Sequence, residues 1–199
     1  MKKQVLLIAL SMVVIGFSAF TKKEKTTLFK INAAESKVVW LGKKITGEHT
    51  GTINIAKGNL EFSNDKLSGG SFEIDMKSIA NTDLENQEYN QKLVGHLKSD
   101  DFFGTEKFPK ATLVIKKVKQ NVGNKYNVKG EITIKGVTKS VEFPVEVSTN
   151  GAKVTAIATI TIDRSEFGVK YGSGSFFDNL GDKAIYDDFT LNVTLVANK

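Results

Sequence analysis

Apolar and polar residues alternate with a period of two along most of the chain beyond residue 36. This alternation is typical of strands that bury one face and expose the other. Turn-forming groups such as Ser63-Asn64-Asp65 and Thr149-Asn150-Gly151 separate the runs. The pattern predicts eight strands, at residues 37–45, 50–62, 66–77, 110–119, 125–135, 137–148, 152–163 and 183–197. Because the connections between most of them are short, neighbouring strands should be antiparallel.

Two segments break this alternation. Tyr89, Leu93 and Leu97 recur at a spacing of four residues, which predicts that residues 82–98 form a helix. Residues 168–182 are rich in glycine and carry the pair Phe176-Phe177, which predicts a long loop with an aromatic cluster.

Eight antiparallel strands in one small domain avoid exposed sheet edges best by closing into a barrel. The sequence therefore predicts an all-β fold, an eight-stranded antiparallel β-barrel with a short helical insertion between strands 3 and 4. A barrel of this size is just wide enough to be filled by side chains or to hold one elongated ligand. Pro109 should stand at a strand entrance, and Pro144 at an edge, bulge or barrel corner.

The N-terminal residues belong to a different class of sequence. Lys2 and Lys3 precede a mostly apolar run from Val5 to Phe20, which predicts a secretory signal rather than the longer run of a membrane span. An uncleaved anchor is the alternative interpretation. The predicted organisation is thus a signal peptide at 1–20, an N-terminal tail and lead-in at 21–35, and one β-barrel domain at 36–199.

Charge and cysteine content narrow the function classes. Most of the net charge of +6 comes from residues 1–30, since the chain from Ile31 onward holds 22 basic and 21 acidic residues. Nucleic-acid binding needs a concentrated basic face, so we do not expect it here. The chain has no cysteine, so an exported domain of this kind must be held together by core burial alone and offers no residue for lipid attachment.

A segment rich in phenylalanine lies between the predicted helix and the next strand. Residues 95–109 hold Phe102, Phe103 and Phe108 in an otherwise polar, turn-rich connection. Leaving these rings exposed would forfeit several kcal/mol of burial, so the segment should fold over something apolar.

Several motifs together resemble one known family. The residues are Trp40-x-Gly42-x-Lys44, Gly47-x-His49-x-Gly51, Gly69-Gly70-x-Phe72-x-Ile74-Asp75-Met76, His96-Leu97-Lys98-Ser99-x-Asp101-Phe102-Phe103, Phe108-Pro109, Gly130-x-Ile132-Thr133-Ile134-Lys135-Gly136-Val137-Thr138 and Arg164-x-x-Phe167-Gly168. In this order, over nearly all of residues 30–198, the chain resembles the YceI-like family of exported bacterial proteins. The tryptophan, His49 and the Gly69-Gly70 pair look most like the forms found in Bacteroidetes.

This resemblance implies a lipocalin-like barrel whose apolar lumen binds a long polyisoprenoid, such as an isoprenoid quinone or a polyprenyl phosphate, and it implies no reaction. The candidate lumen is one set of alternating apolar residues: Phe72, Ile74, Met76, Leu113, Ile115, Val128, Ile132, Phe143, Val145, Phe189 and Leu191. The candidate lid and mouth residues are Phe102, Phe103, Phe176, Phe177 and Arg164. Arg164, the only arginine of the chain, is either a clamp for a polar head group or a structural partner of Asp163, Asp187, Asp188 or Phe167.

The expected function is therefore that of an exported, periplasmic or secreted lipid-binding protein that transports or stores its cargo, with no cofactor other than this bound lipid. We expect no catalytic residues, no resident metal, no nucleic acid and no stable membrane insertion, and a homodimer is left open. One alternative is a stress-related binding or interaction module with a filled barrel. A second is a metal-dependent hydrolase that would have to assemble His49, His96, Asp100 and Asp101 across the fold.

Overall fold

The computed structural model describes residues 26–199, so the predicted signal peptide lies outside the described residues. It contains nine strands and one α-helix, in the order β1 Thr26–Ile31, β2 Lys37–Lys44, β3 Gly47–Ser63, β4 Lys66–Asn81, α1 Gln87–Lys98, β5 Lys110–Gln120, β6 Lys125–Ile134, β7 Val137–Asn150, β8 Lys153–Asp163 and β9 Ile185–Asn198. Two short 3-10 helices, Arg164–Phe167 and Gly181–Lys183, lie between β8 and β9.

The strands form a closed antiparallel barrel. Neighbours pair in the order β2-β9-β8-β7-β6-β5-β4-β3, and β3 returns to β2 to complete the circle. β1 pairs with the same two strands as β2, because Thr26–Lys30 run beside Asn59–Ser63 of β3 and Ile31 pairs with Ala197 of β9. β1 and β2 are thus two pieces of one barrel position, and the eight-stranded prediction is confirmed.

β1 differs from the sequence prediction, which treated residues 21–35 as a tail and lead-in. The six residues Thr26–Ile31 are too few to show a clear alternation, and they follow a lysine-rich stretch. Their order comes from tertiary pairing with β3 and β9 rather than from a local pattern. Phe29 is buried and its ring packs edge-on against Phe62 at 5.1 Å.

The two ends of the barrel are built differently. At the closed end lie β1 and the tight turns β3–β4, β5–β6 and β7–β8, with Leu60, Val128 and Val154 at most 2% exposed inside. At the opposite, open end lie the β2–β3 turn, α1, the β6–β7 turn and the long β8–β9 connection. The helix α1 lies beside β4.

α1 begins later than the periodicity suggested. It begins at Gln87 rather than near residue 82, because Asn86 caps it by accepting a hydrogen bond from the Tyr89 N–H at 3.1 Å. Residues 82–86 stay extended or bent, and Asp83 faces β3 instead of entering the first turn. No helix in residues 26–199 is long and apolar enough to cross a bilayer.

Both prolines stand where strand chemistry tolerates them. Pro109 directly precedes β5, and its carbonyl accepts from the Met76 N–H. Pro144 lies in β7 immediately before Val145, the first residue of β7 that pairs with β8. The β8-facing edge of β7 has no strand partner at this position. The N–H group that proline lacks therefore removes no hydrogen bond from the sheet.

Candidate functional site

An apolar cavity of about 250 Å³ occupies the barrel interior between the closed-end core and α1. One buried water needs only about 10–15 Å³ by the same measure, so this space is far larger than a packing void. Ten of the eleven predicted lumen residues line it: Phe72, Ile74, Met76, Leu113, Ile115, Ile132, Phe143, Val145, Phe189 and Leu191. Val128 does not line it, since this side chain is fully buried in the core.

The cavity is apolar along its depth and polar only at the open end. There its lining includes Lys43, Lys44, His49, His96, Arg164, Tyr186 and Asp188. Lys43, Lys44, Tyr186 and Asp188 are solvent-exposed, so the cavity reaches the surface between β2 and β9. We call this opening the mouth.

Backbone geometry makes the mouth. Gly42 pairs with Phe189 but Lys44 pairs with Ile185, so residues 186–188 of β9 bulge away from β2. Gly42 lines the cavity at this point, and a Cβ placed on it would have no atom within 4 Å. Gly51, by contrast, is packed tightly, because a Cβ there would lie 1.9 Å from the Ala80 carbonyl oxygen and 2.5 Å from the Trp40 ring. Trp40 donates its indole N–H to that same carbonyl at 3.1 Å.

Phe102 and Phe103 lie at the open end of the cavity, and their role as a lid over a ligand stays a prediction. Both line the cavity, and their rings meet edge-on at 5.2 Å. Phe102 is buried, whereas Phe103 is partly exposed and packs against Phe189 at 6.2 Å. The Lys135 ammonium fixes the segment by donating to the carbonyls of Asp100 and Phe102.

Phe176 and Phe177 do not cover the cavity, and the prediction of a second lid is wrong for these two rings. They are 43% and 50% exposed and neither lines the cavity. The Phe176 ring faces the Lys170 ammonium at 4.9 Å, and Phe177 borders a shallow outer groove. From the same connection, Tyr171 packs its ring on His96 at 4.3 Å, and His96, which lines the cavity, packs on Phe102.

Arg164 is bonded to the backbone at the base of the β8–β9 connection. Its guanidinium is 2% exposed and donates to four backbone carbonyls, those of Val169, Tyr171, Ile185 and Tyr186, at 2.9–3.1 Å. It also stacks on Phe102 at 5.4 Å. These contacts support the structural alternative for Arg164, which also lines the cavity, and the head-group clamp stays a prediction.

The carboxylate beside Arg164 is one of those the sequence offered. Asp187 Oδ1 lies 3.2 Å from Arg164 Nη2 as an ion pair without hydrogen-bond geometry, while Oδ2 accepts from the Ser175 hydroxyl at 2.6 Å. Burial lowers the pKa of the Arg164 guanidinium, and the charges of Asp187 and Asp163 oppose that shift.

His49 is held by a carboxylate. Asp83 Oδ2 lies 2.8 Å from His49 Nδ1, and Asp83 Oδ1 accepts from the Thr50 N–H and from the Asn81 amide. Burial raises the pKa of the Asp83 carboxyl, but the hydrogen bonds from His49, Thr50 and Asn81 outweigh burial and hold this pKa below its usual range. The hydrogen bonds of Asp83 with His49, Thr50 and Asn81 thus connect the start of β3 to the end of β4.

The four residues of the metal-site alternative are not gathered. His96 lies among aromatic rings, Asp100 pairs with Lys107 at 2.6 Å, Asp101 is exposed, and His49 is paired with Asp83. Across residues 26–199 no three His, Cys, Asp or Glu side chains are placed to share a metal ion.

The wall residues that sequence reasoning missed include Val38, Trp40, Ile53, Ile55, Ile160, Val193 and Leu195. The same period-two alternation could have found most of them, because Val38, Trp40 and Gly42 alternate along β2. Leu93 and Leu97, the leucines that α1 contributes beside His96, carry the helical spacing that predicted the helix itself.

Comparison with known proteins identifies a family that matches this chain. A family model described as YceI-like domain matches residues 29–197. Among curated proteins, a UPF0312 protein of Staphylococcus aureus strain USA300 is 43% identical over 89 residues, which cover 41% of this chain and 49% of the relative. A UPF0312 protein of the bovine strain RF122 is 45% identical over 83 residues, 38% of this chain and 46% of the relative. The chain thus matches about half the length of these relatives.

Solved structures extend the match over most of the chain. BcnA of Burkholderia cenocepacia is 30% identical, with a TM-score of 0.69 over 84% of this chain and 99% of that one. A polyisoprenoid binding domain from Saccharophagus degradans, implicated in plant cell wall breakdown, has a TM-score of 0.62 over 85% of this chain and 97% of that one. At 14% identity it shares the fold.

Proposed function

This chain belongs to the YceI-like family, and from that premise we propose that it is an exported lipid-binding protein. In this proposal the barrel holds one long polyisoprenoid, an isoprenoid quinone or a polyprenyl phosphate, and transports or stores it in the periplasm. The observation that carries the proposal is the cavity, which is apolar along its depth and polar only at its mouth.

This distribution of polarity suits an elongated amphiphile. Each methylene moved from water into the lumen contributes about 0.8 kcal/mol, so several prenyl units bind tightly without a charged anchor. A polar head group placed at the mouth would stay near water, beside Lys44 and Tyr186, and would avoid the cost of burial. The Saccharophagus degradans protein of the same fold is a polyisoprenoid binding domain, which supports the same class of ligand here.

The alternatives have less support. A filled barrel would need its lumen packed by side chains, whereas an apolar space of about 250 Å³ separates the walls here. The hydrolase hypothesis has no assembled centre among the described residues, because His49, His96, Asp100 and Asp101 have separate surroundings. Export rests on the N-terminal sequence alone, and the Bacteroidetes type stays a prediction.

The first experiment is to purify the protein from its own host without denaturation and to identify bound lipids by mass spectrometry. A stoichiometric quinone would identify one cargo and a polyprenyl phosphate the other. An empty protein that also refuses both added lipids would refute the proposal. Trp40 reports binding directly, because this sole tryptophan of the chain lines the cavity and a quinone beside it quenches its fluorescence.

A substitution at Gly42 tests whether the cavity is the binding site. We expect Gly42→Leu to project into the open space at the mouth and to weaken cargo binding by about tenfold or more, while leaving the melting temperature near that of the wild type. Gly95→Leu is the matched control, because a Cβ on Gly95 would also have no atom within 4 Å, yet Gly95 lies on α1 outside the cavity. Equal binding by the two variants would place the cargo elsewhere.

A further inference from the structure

Exposed aromatic rings are confined to one end of this molecule. Within residues 26–199, the aromatic side chains that are exposed are Tyr89, Tyr171, Phe176, Phe177 and Tyr186, and all five belong to α1 or to the β8–β9 connection and the start of β9 at the open end. Exposed aliphatic residues, by contrast, are spread over both ends and the wall, as Leu28, Val137 and Ile157 show. We call Tyr171, Phe176, Phe177 and Tyr186 the aromatic collar.

Neither the core nor the cavity explains the exposed rings at the tip of this collar. Phe176 and Phe177 make no ring–ring contact and do not line the cavity, yet together they expose about half of two large apolar side chains. Phe176 and Phe177 are neighbours in the chain, and Phe177 shares an outer groove with Tyr171. Exposed large apolar side chains grouped in this way mark a surface that another molecule covers.

The collar stands on a fixed base. Arg164 ties the carbonyls of Val169, Tyr171, Ile185 and Tyr186 together, and the Ile185 N–H donates to the Gly172 carbonyl. Beyond this base, Gly172, Asn179 and Gly181 have positive φ angles that shape an exposed tip carrying Phe176 and Phe177. The rings are therefore presented outward on an organised loop.

The collar is continuous with the cavity mouth. Tyr186 lines the mouth itself, and the Ile45 N–H of the adjoining turn donates to the Ala184 carbonyl. Ile45 is also 53% exposed, which extends the apolar surface across β2. Whatever covers the collar therefore also faces the opening of the lumen.

The charges around the collar indicate which kind of partner surface the collar fits. Residues 168–188 and the β2 end contribute four lysines and four aspartates: Lys43, Lys44, Lys170, Lys183, Asp178, Asp182, Asp187 and Asp188. The outer groove that Tyr171 and Phe177 border adds Lys135, Asp100 and Asp101. The whole set carries no net positive charge, so it fits a zwitterionic lipid surface better than a polyanion, which a net positive patch would attract. Aromatic rings with amphipathic tips, interleaved with lysines, are also the side chains that settle at the level of lipid head groups.

We propose that the aromatic collar docks on the surface of a zwitterionic phospholipid bilayer and holds the cavity mouth against it. The rings of Phe176 and Phe177 enter the interface while the barrel stays outside, so the attachment is peripheral and reversible. The surface goes beyond the proposed function, because it needs no particular cargo in the lumen.

The test is partition onto phosphatidylcholine–phosphatidylethanolamine vesicles, measured by co-sedimentation. We expect the double variant Phe176→Ser, Phe177→Ser to bind about ten- to thirtyfold more weakly than the wild type. The control is Leu28→Ser with Ile157→Ser, which removes side chains of similar exposure, 53% and 55%, from the closed end and the wall. All proteins carry the same N-terminus, checked by intact mass, so any contribution of residues 1–20 is common to them.

The outcomes separate this proposal from its rivals. Support requires that the control binds within about twofold of wild type and that raising salt from about 0.1 M to about 0.5 M changes binding little. Equal loss in both variants, no vesicle binding by the wild type, or loss of binding in salt would overturn it. Self-association that only the collar variant loses, without vesicle binding, would make the collar an interface between copies. Cargo binding, followed through Trp40 on the same variants, tests the proposed function independently.

Discussion

At the residue scale, small groups of hydrogen bonds rather than unusual chemistry account for the polar side chains that the sequence singled out. Both histidines and the only arginine have structural surroundings: His49 meets Asp83, His96 lies between Tyr171 and Phe102, and Arg164 binds backbone carbonyls. The rarity of arginine in the composition suggested a need for planar, bidentate geometry, with a head-group clamp and a structural role as alternatives. The geometry of these three residues shows that rare residue types also mark demanding junctions of the chain.

The pair of His49 and Asp83 gives a prediction for stability against pH. Because the pKa of the folded Asp83 carboxyl lies below its unfolded value of about 3.9, its contribution is complete above about pH 4 and is lost as the pH falls through the folded pKa. We expect Asp83→Asn to lower the free energy of unfolding by about 1–2 kcal/mol at neutral pH. The difference from wild type should shrink in acid, as urea titrations at several pH values would show.

Asp178→Asn is the control for that series, since this carboxylate lies on the exposed loop tip. A uniform deficit for Asp83→Asn at every pH would mean that the shape of the side chain matters there and its charge does not.

At the element scale, the strands were predictable and the connections were not. Alternation located eight strands within a few residues, because each strand buries one face against a common interior. β1 was missed since its six residues gain their order from β3 and β9, and the predicted start of α1 was too early since Asp83 is used by β3. The local sequence does not show with which distant residues a segment will pair.

The two phenylalanine pairs illustrate the same limit. Phe102-Phe103 and Phe176-Phe177 read alike in the sequence, yet the first pair lines the cavity and the second is exposed. The difference is made by Lys135 and Arg164, which are distant in the chain and hold Phe102 down. Ten predicted wall residues line the cavity because alternation fixes a face, whereas the fate of a loop residue depends on contacts that alternation does not encode.

The β8–β9 connection supplies the element-scale prediction. We expect Arg164→Lys to lower the free energy of unfolding by about 2–4 kcal/mol, because one ammonium cannot replace a guanidinium that serves four carbonyls in a buried site. Proteolysis of residues 170–183 should accelerate, while cargo affinity per folded molecule stays the same. Normal stability with lost affinity would instead support the head-group clamp.

At the scale of the whole molecule, the barrel divides into a closed end that is packed and an open end that is hollow. Phe29, Phe62 and Val128 fill the closed end, so its stability needs no ligand. The open end carries the cavity, the mouth and the aromatic collar, and apolar wall there faces space instead of other side chains. The side chains that stabilise the fold and the side chains that line the cavity thus lie at opposite ends. A substitution can therefore change the stability without changing ligand binding, or the reverse.

This division predicts different effects for the two rings of the predicted lid. Phe102 is buried beneath Arg164, so Phe102→Ala should destabilise the protein by about 3–5 kcal/mol whether or not cargo is present. Phe103 is partly exposed at the cavity, so Phe103→Ala should cost the empty protein much less and chiefly speed the loss of cargo. Cargo at about a hundred times its Kd stabilises the folded state by about 2.7 kcal/mol, and Phe103→Ala should remove most of that gain. Melting curves of loaded and delipidated protein measure both effects. Equal destabilisation by the two substitutions, with the cargo-dependent shift intact, would mean that Phe103 is part of the packing and that the lumen is gated elsewhere.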